Sequence, residues 1–149
     1  MTKEALQRMM GGLIVSCQVA QGHPMHAPQM IATLARCAEL GGARALRIDH
    51  PSNVRAVRAA VGVPIVGLHK VLQTFGRPLI TPSFDLAAGL ALAGADIIAL
   101  EATHSAEVST PILAECIRRV HDELRLQVMA DVSTVGEGVR APVPRARTW

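Results

Sequence analysis

The chain has 149 residues, a length suited to one domain with a real core. Half of them are hydrophobic and the mean hydropathy is +0.29, which excludes a disordered chain, yet no apolar run approaches membrane-spanning length. The net charge of +3 and pI near 9.1 hint at nucleic acid, but the basic residues are dispersed and aromatics make up 2%, leaving nothing to stack on bases.

With so few aromatics, Ala, Val, Leu and Ile must build the core, which suits a layered α/β protein. Cys17, Cys37 and Cys116 are widely spaced, odd in number and outside any metal-ligand spacing, so reduced thiols in a cytoplasmic protein are expected. Leu13–Cys17 faintly suggests a lipoprotein cleavage box. Glu4 ahead of it and the shortness of the apolar run argue against a signal peptide.

In chain order, residues 3–10 read as a short leading helix stopped by Gly11-Gly12. Leu13-Ile14-Val15 is a first strand that delivers Gln18 to its end. A Gly-, Pro- and His-rich loop with His23 and His26 follows; loop histidines of this kind are usually solvated. From Pro28, Ile31, Leu34, Ala35, Ala38 and Leu40 recur at helical spacing until Gly41-Gly42. Ala45–Ile48 is the second strand, containing Arg47. Pro51-Ser52-Asn53 opens a helix with Val54, Val57 and Val61 on one face.

Val63, Ile65 and Val66 read as a buried strand leading to Lys70. Leu79–Pro82 is expected as a fourth strand, with Ser83 as N-cap of a helix over Phe84–Ala93 that Gly94 ends. Asp96–Glu101 is the fifth strand. Ser109 and Thr110 start a helix whose Ile112, Leu113, Cys116, Ile117 and Val120 share a face, and Gln127–Asp131 is the sixth strand. Six βα repeats without a hairpin signal imply a parallel sheet, doubly wound or closed into a barrel.

The polar residues at the strand ends, Gln18, Arg47, Lys70, Thr81, Glu101 and Asp131, favour the barrel, because in a (β/α)8 TIM barrel such ends converge on one mouth. Each alone is an ordinary surface or turn residue; together they suggest a shared site. Lys70 is one of only two lysines. A lysine at that place becomes a general base if burial and a neighbouring cation lower its pKa.

With these ends laid out, the chain resembles the N-acylglucosamine-6-phosphate 2-epimerases (N-acetylmannosamine-6-phosphate 2-epimerases) of amino sugar and sialic acid breakdown. The matching stretches are GGLIVSCQ (11–18), Gly41-Gly42 with Leu46-Arg47, PIVGLHK (64–70), Ile80-Thr81-Pro82, AGADIIALEAT (93–103) and MADVST (129–134). The resemblance implies a phosphosugar TIM barrel of the ribulose-phosphate-binding type. Its activity would interconvert N-acetylmannosamine 6-phosphate and N-acetylglucosamine 6-phosphate by moving the proton at C2.

Carried over by position, Lys70 matches the catalytic lysine, while Gln18, Arg47 and Asp131 match residues lining the sugar site. Glu101, also assigned to substrate binding, stands where the family usually has aspartate; His69 replaces a common tyrosine, and Asp49-His50 an Asn-Gly. An enolate-like intermediate needs such a base and donors for its oxyanion, roles that Lys70, Arg47 and Gln18 can fill. The resemblance implies no cofactor or metal. Its expected partner is a phosphorylated N-acyl hexosamine, without nucleic acid or membrane, and with homo-oligomerisation left open.

A full barrel has about 250 residues and eight βα units, against about six here. The chain therefore reads as a partial TIM-barrel domain, 1–138, apparently truncated, followed by a basic tail, 139–149, with Arg140, Arg145 and Arg147. Strands seven and eight ordinarily carry the phosphate-binding loops, and the family's catalytic glutamate has no counterpart, so impaired activity is expected. Three other readings compete. One is another phosphosugar barrel, though pentose-phosphate epimerases would need metal-binding His and Asp at strand ends. The others are a non-catalytic fragment that works by association and a basic-tail RNA binder.

Overall fold

A computed structural model describes residues 2–74, 76–103 and 109–141, with side chains from Glu4 onward. The elements are α1 (Thr2–Met9), β1 (Ile14–Ser16), α2 (Pro28–Leu40), β2 (Ala45–Asp49), α3 (Pro51–Ala60), β3 (Ile65–Leu68), β4 (Lys70–Val71) and β5 (Leu79–Ile80). They continue with α4 (Phe84–Ala93), β6 (Ile97–Glu101), α5 (Thr110–Arg119) with a π-helical turn at Val120–Leu124, β7 (Gln127–Asp131) and α6 (Val135–Arg140).

Five strands form one parallel sheet in the order β1-β2-β3-β6-β7. α2 packs on α3, α3 on α4, and α4 on the π-helical turn, so the crossovers lie side by side on one face. A doubly wound sheet would divide them between two faces; a barrel wall does not. The helix-side core is large and includes Ile31, Leu46, Ile48, Val54, Val57, Ile65, Leu90, Ile98 and Leu100. The opposite face carries a smaller cluster of Met9, Ala45, Val66, Leu68, Ile97 and Ala99, with Ile14, Ile80 and Met129 against it. At about 25 cal/mol per Å² of apolar surface removed from water, each fully buried Leu or Ile contributes roughly 1.5–3 kcal/mol.

The two clusters divide each strand by alternation, the period-2 geometry of extended chain. Ala45, Val66, Leu68, Ile97, Ala99 and Met129 face inward. Two residues further along, the same register reaches Arg47, Lys70, Glu101 and Asp131, and Ile14 leads through Ser16 to Gln18. The inner-face register therefore turns polar at the strand ends. Gly67 is required within this wall, since a Cβ there would lie 2.7 Å from that of Ala95. Beneath it, Asp96 ties the bottom, accepting from Arg58 Nη1 and Ile65 N at 2.8 Å each.

The expected fourth strand is the main correction. Leu79–Ile80 does not join the parallel sheet; it pairs antiparallel with Lys70–Val71, and β3 pairs directly with β6 through Val66↔Ile97 and Gly67↔Ile98. Lys70 thus begins a short hairpin. Thr81 closes it with φ 46°, its N–H donating to the His69 carbonyl at 2.8 Å and its Oγ1 accepting from His69 N at 2.9 Å.

Smaller differences follow from local geometry. Leu40 and Ile112, assigned to helix faces, are exposed, whereas Ile31 and Ala35, and Leu113, Cys116 and Ile117, are buried. β3 begins at Ile65 rather than Val63. Ser83 and Ser109 occupy N-cap positions without a side-chain cap bond. The expected domain boundary at residue 138 falls inside α6, whose start is closed by a Thr134–Glu137 capping box. The tail from residue 142, with Arg145 and Arg147, lies outside the described residues.

Candidate active site

Four of the five expected site residues form a linked set at the strand ends. Lys70 Nζ donates to Gln18 Oε1 at 2.6 Å, and Gln18 Nε2 reaches the Arg47 carbonyl at 3.5 Å. Arg47 is ion-paired through Nη2 with Asp131 Oδ2, bridging β2 to β7 across the inner face. Its Nε–H is buried without a partner among the described residues, a spare donor beside the pair. Lys70 itself is partly exposed.

The charge that the structure places beside Lys70 is a carboxylate. Asp49 Oδ1 accepts from the Lys70 backbone N–H at 3.0 Å, and its Oδ2 lies 3.9 Å from Nζ. Asp49 escaped the sequence reading as a site residue, although alternation from Ala45 and Arg47 puts it on the same face.

Asp131 is half-buried. Burial pushes its carboxyl up, Arg47 pulls it down, and Glu101 on the neighbouring strand pushes it up again; the net direction is upward from the ordinary aspartate value.

Glu101 belongs to a different arrangement. Its side chain is fully buried, and both oxygens are occupied. Oε1 accepts from Arg77 Nη2 at 2.5 Å, from Thr103 N at 3.3 Å and from the Thr103 hydroxyl. Oε2 accepts from Arg77 Nη1 at 3.1 Å and from Ile80 N at 2.9 Å. Burial alone would raise this carboxyl, but Arg77, the Thr103 hydroxyl and the Ile80 N–H together outweigh it and hold it below the ordinary glutamate value. Arg77 was missed in the sequence because it sits in an irregular Gly-Arg-Pro loop with no periodicity to place it.

Thr81, at 1% exposure, serves the hairpin. His69 packs edge-on against His50, ring centroids 4.9 Å apart; burial and the His50 ring push His69 below the ordinary histidine value. His50 itself caps α3, accepting from Ser52 N at 3.4 Å. His23 and His26 bond their own loop, to Met25 N and the Val19 carbonyl. Cys17, beside Gln18, packs into the helix-side core, and burial pushes its thiol up, so it stays protonated. Among the described residues, no group of His, Cys, Asp and Glu could hold a metal ion.

This mouth has a recognisable counterpart. Residues 31–143 match the family model described as "Putative N-acetylmannosamine-6-phosphate epimerase". The chain belongs to the N-acetylmannosamine-6-phosphate epimerase family. A curated relative from Thermosynechococcus vestitus, described as the corresponding 2-epimerase, is 46% identical over 139 residues, covering 93% of this chain and 60% of its own. One from Salmonella typhimurium is 45% identical over 130 residues, covering 87% and 56%.

Among solved structures, the N-acetylmannosamine-6-phosphate 2-epimerase from Clostridium perfringens superposes with a TM-score of 0.81 at 28% identity, covering 91% of this chain and 59% of that one. The fold is that of the TIM-barrel epimerases, and the chain spans about 60% of the length of the curated relatives it matches.

Proposed function

We propose that this chain carries the proton-transfer part of an N-acetylmannosamine-6-phosphate 2-epimerase, with Lys70 moving the C2 proton of the open-chain sugar phosphate. The observation that carries this reading is Lys70 Nζ held at 2.6 Å by Gln18 at the mouth of an epimerase-family barrel, beside the Arg47–Asp131 pair.

Abstraction at C2 turns the adjacent C1 carbonyl into an enolate, and return of a proton to the opposite face inverts the centre. Uncharged, Lys70 accepts the C2 proton on one face, and as an ammonium it returns one to that same face; the proton that reaches the opposite face comes from a second donor, water or another group. Arg47, cationic and with a spare Nε–H, stabilises the developing oxyanion, as does the Gln18 amide, while Asp131 fixes the Arg47 guanidinium. Glu101 is left out of the substrate contacts, since its oxygens are already occupied. The proposal is confined to the C2 chemistry, because the chain spans about 60% of its relatives' length.

A cytoplasmic setting is part of the same proposal, supported by three free cysteines, two of them buried. No described helix is long and apolar enough to cross a membrane. A role without nucleic acid is supported by the way surface arginines pair with neighbouring acids, as in Arg36–Glu39, Arg118–Glu115 and Arg119–Glu123.

The test is to incubate the 149-residue protein with N-acetylmannosamine 6-phosphate in heavy water and follow C2 deuteration and the epimer ratio by NMR. Deuteration that disappears in Lys70→Ala is expected. Folded wild-type protein that leaves C2 fully protonated would contradict the reading.

A further inference from the structure

Lys70 lies on β4, whose ladder with β5 comprises two residue pairs, Lys70↔Ile80 and Val71↔Leu79. A two-stranded ladder of that size does not hold itself in water. Its position must come from what grips it. One grip lies on the Lys70 side, where Asp49 Oδ1 accepts the Lys70 N–H and Thr81 bonds both polar groups of the His69 backbone.

The other grip is on the β5 side, and it is a single buried carboxylate. Glu101 accepts the Ile80 N–H, the N–H of the residue paired with Lys70, and both terminal nitrogens of Arg77 from the hairpin loop. Thr103 donates to Glu101 and accepts from Arg77, closing the cluster. Glu101 is the last residue of β6, a strand buried along its whole length, so the hairpin is tied to a fully buried strand of the wall.

We propose that Glu101 and Arg77 are positioning residues for Lys70: their ion pair locks the β4–β5 hairpin to the end of β6 and thereby holds the lysine at the mouth. The proposal rests on the reading of Lys70 given above. Arg77 touches no sugar in this role; it acts through Glu101, Ile80 and the ladder. A base displaced by about 1 Å loses up to about a hundredfold in rate, whereas binding elsewhere on the sugar is unaffected.

The experiment compares wild type, Arg77→Ala, the charge-keeping Arg77→Lys, and Glu101→Gln. Two quantities are read: backbone amide exchange by mass spectrometry in peptides covering 70–81, and kcat and KM for C2 epimerisation. In Arg77→Ala, amide exchange in 70–81 should rise at least about tenfold while peptides of β2 and α3 stay at wild-type rates. In the same variant kcat should fall about 10- to 100-fold at nearly constant KM. Arg77→Lys, which keeps the charge but not the two-pronged contact, should fall between.

Unchanged exchange over 70–81 overturns the lock, and a loosened hairpin with unchanged kcat overturns the positioning role. Glu101→Gln decides the matter in the same two readouts if Arg77→Ala loosens β2 and α3 as well. Wild-type protein without C2 turnover would overturn the epimerase reading alone, and the amide arm would still decide whether the hairpin is locked.

Discussion

Glu101 and Asp131 are register partners at the ends of adjacent strands, and each is paired with an arginine. One carboxylate is sealed, has both oxygens filled and is held below its ordinary pKa. The other is half-buried, shares its charge with Arg47 and is pushed upward. A polar residue at a barrel mouth is thus not a substrate ligand by position alone. What separates the two is whether the protein has already filled the carboxylate's hydrogen-bonding capacity. Glu101 spends its charge on the hairpin, whereas Asp131 is paired with Arg47 at the mouth.

The largest expected effect lies on the open side of this contrast. Lys70→Ala should slow C2 deuteration by about 10²- to 10⁴-fold, the range for losing a general base, while the urea midpoint stays near wild type. NMR of the sugar and a denaturation curve on the same sample check both halves.

On the sealed side, Arg77→Met leaves a buried carboxylate short of its cation. Because the Arg77 side chain is 49% exposed, the cost should lie at the low end for a broken buried pair, about 3 kcal/mol by urea unfolding. Thr103→Val removes the hydroxyl that donates to Glu101 and should cost about 1 kcal/mol in the same assay.

The smallest effect is in the pH profile, where the two carboxylates should pull in opposite directions. Glu101, depressed in the fold, contributes stability above its unfolded value near 4.5 that is lost as pH falls through its folded value. Asp131, raised in the fold, binds its proton earlier in the native state, so its contribution improves as pH falls toward its unfolded value near 3.8. Glu101→Gln should therefore flatten the acid limb of the stability curve and Asp131→Asn should steepen it, as read from urea midpoints between pH 7 and 3.

Much of this was legible in the sequence because it rests on periodicity. The βα alternation gave the parallel wall, and the six polar strand ends included Gln18, Arg47, Lys70 and Asp131, which are linked, beside Thr81 and Glu101, which hold the hairpin. The hairpin was not legible. Leu79–Ile80 has the composition of any short strand, and its antiparallel pairing is held by contacts distant in sequence, such as Thr81 N to the His69 carbonyl and Ile80 N to Glu101. The filling of Glu101 was not legible either: Arg77, its partner, comes from a loop whose sequence carries no positional signal. Asp49 could have been found, since its register follows from Arg47 two residues earlier.

The contrast between the two carboxylates is tested most directly by measuring Glu101→Gln and Asp131→Asn side by side, each for urea midpoint and for C2 deuteration rate. The expected result is a clear loss of stability in Glu101→Gln. Asp131→Asn should keep its midpoint within about 0.5 kcal/mol of wild type yet slow deuteration by about tenfold or more. The reverse order, a stable Glu101→Gln and an unfolded Asp131→Asn, would contradict the assignment of one pair to the scaffold and the other to the site.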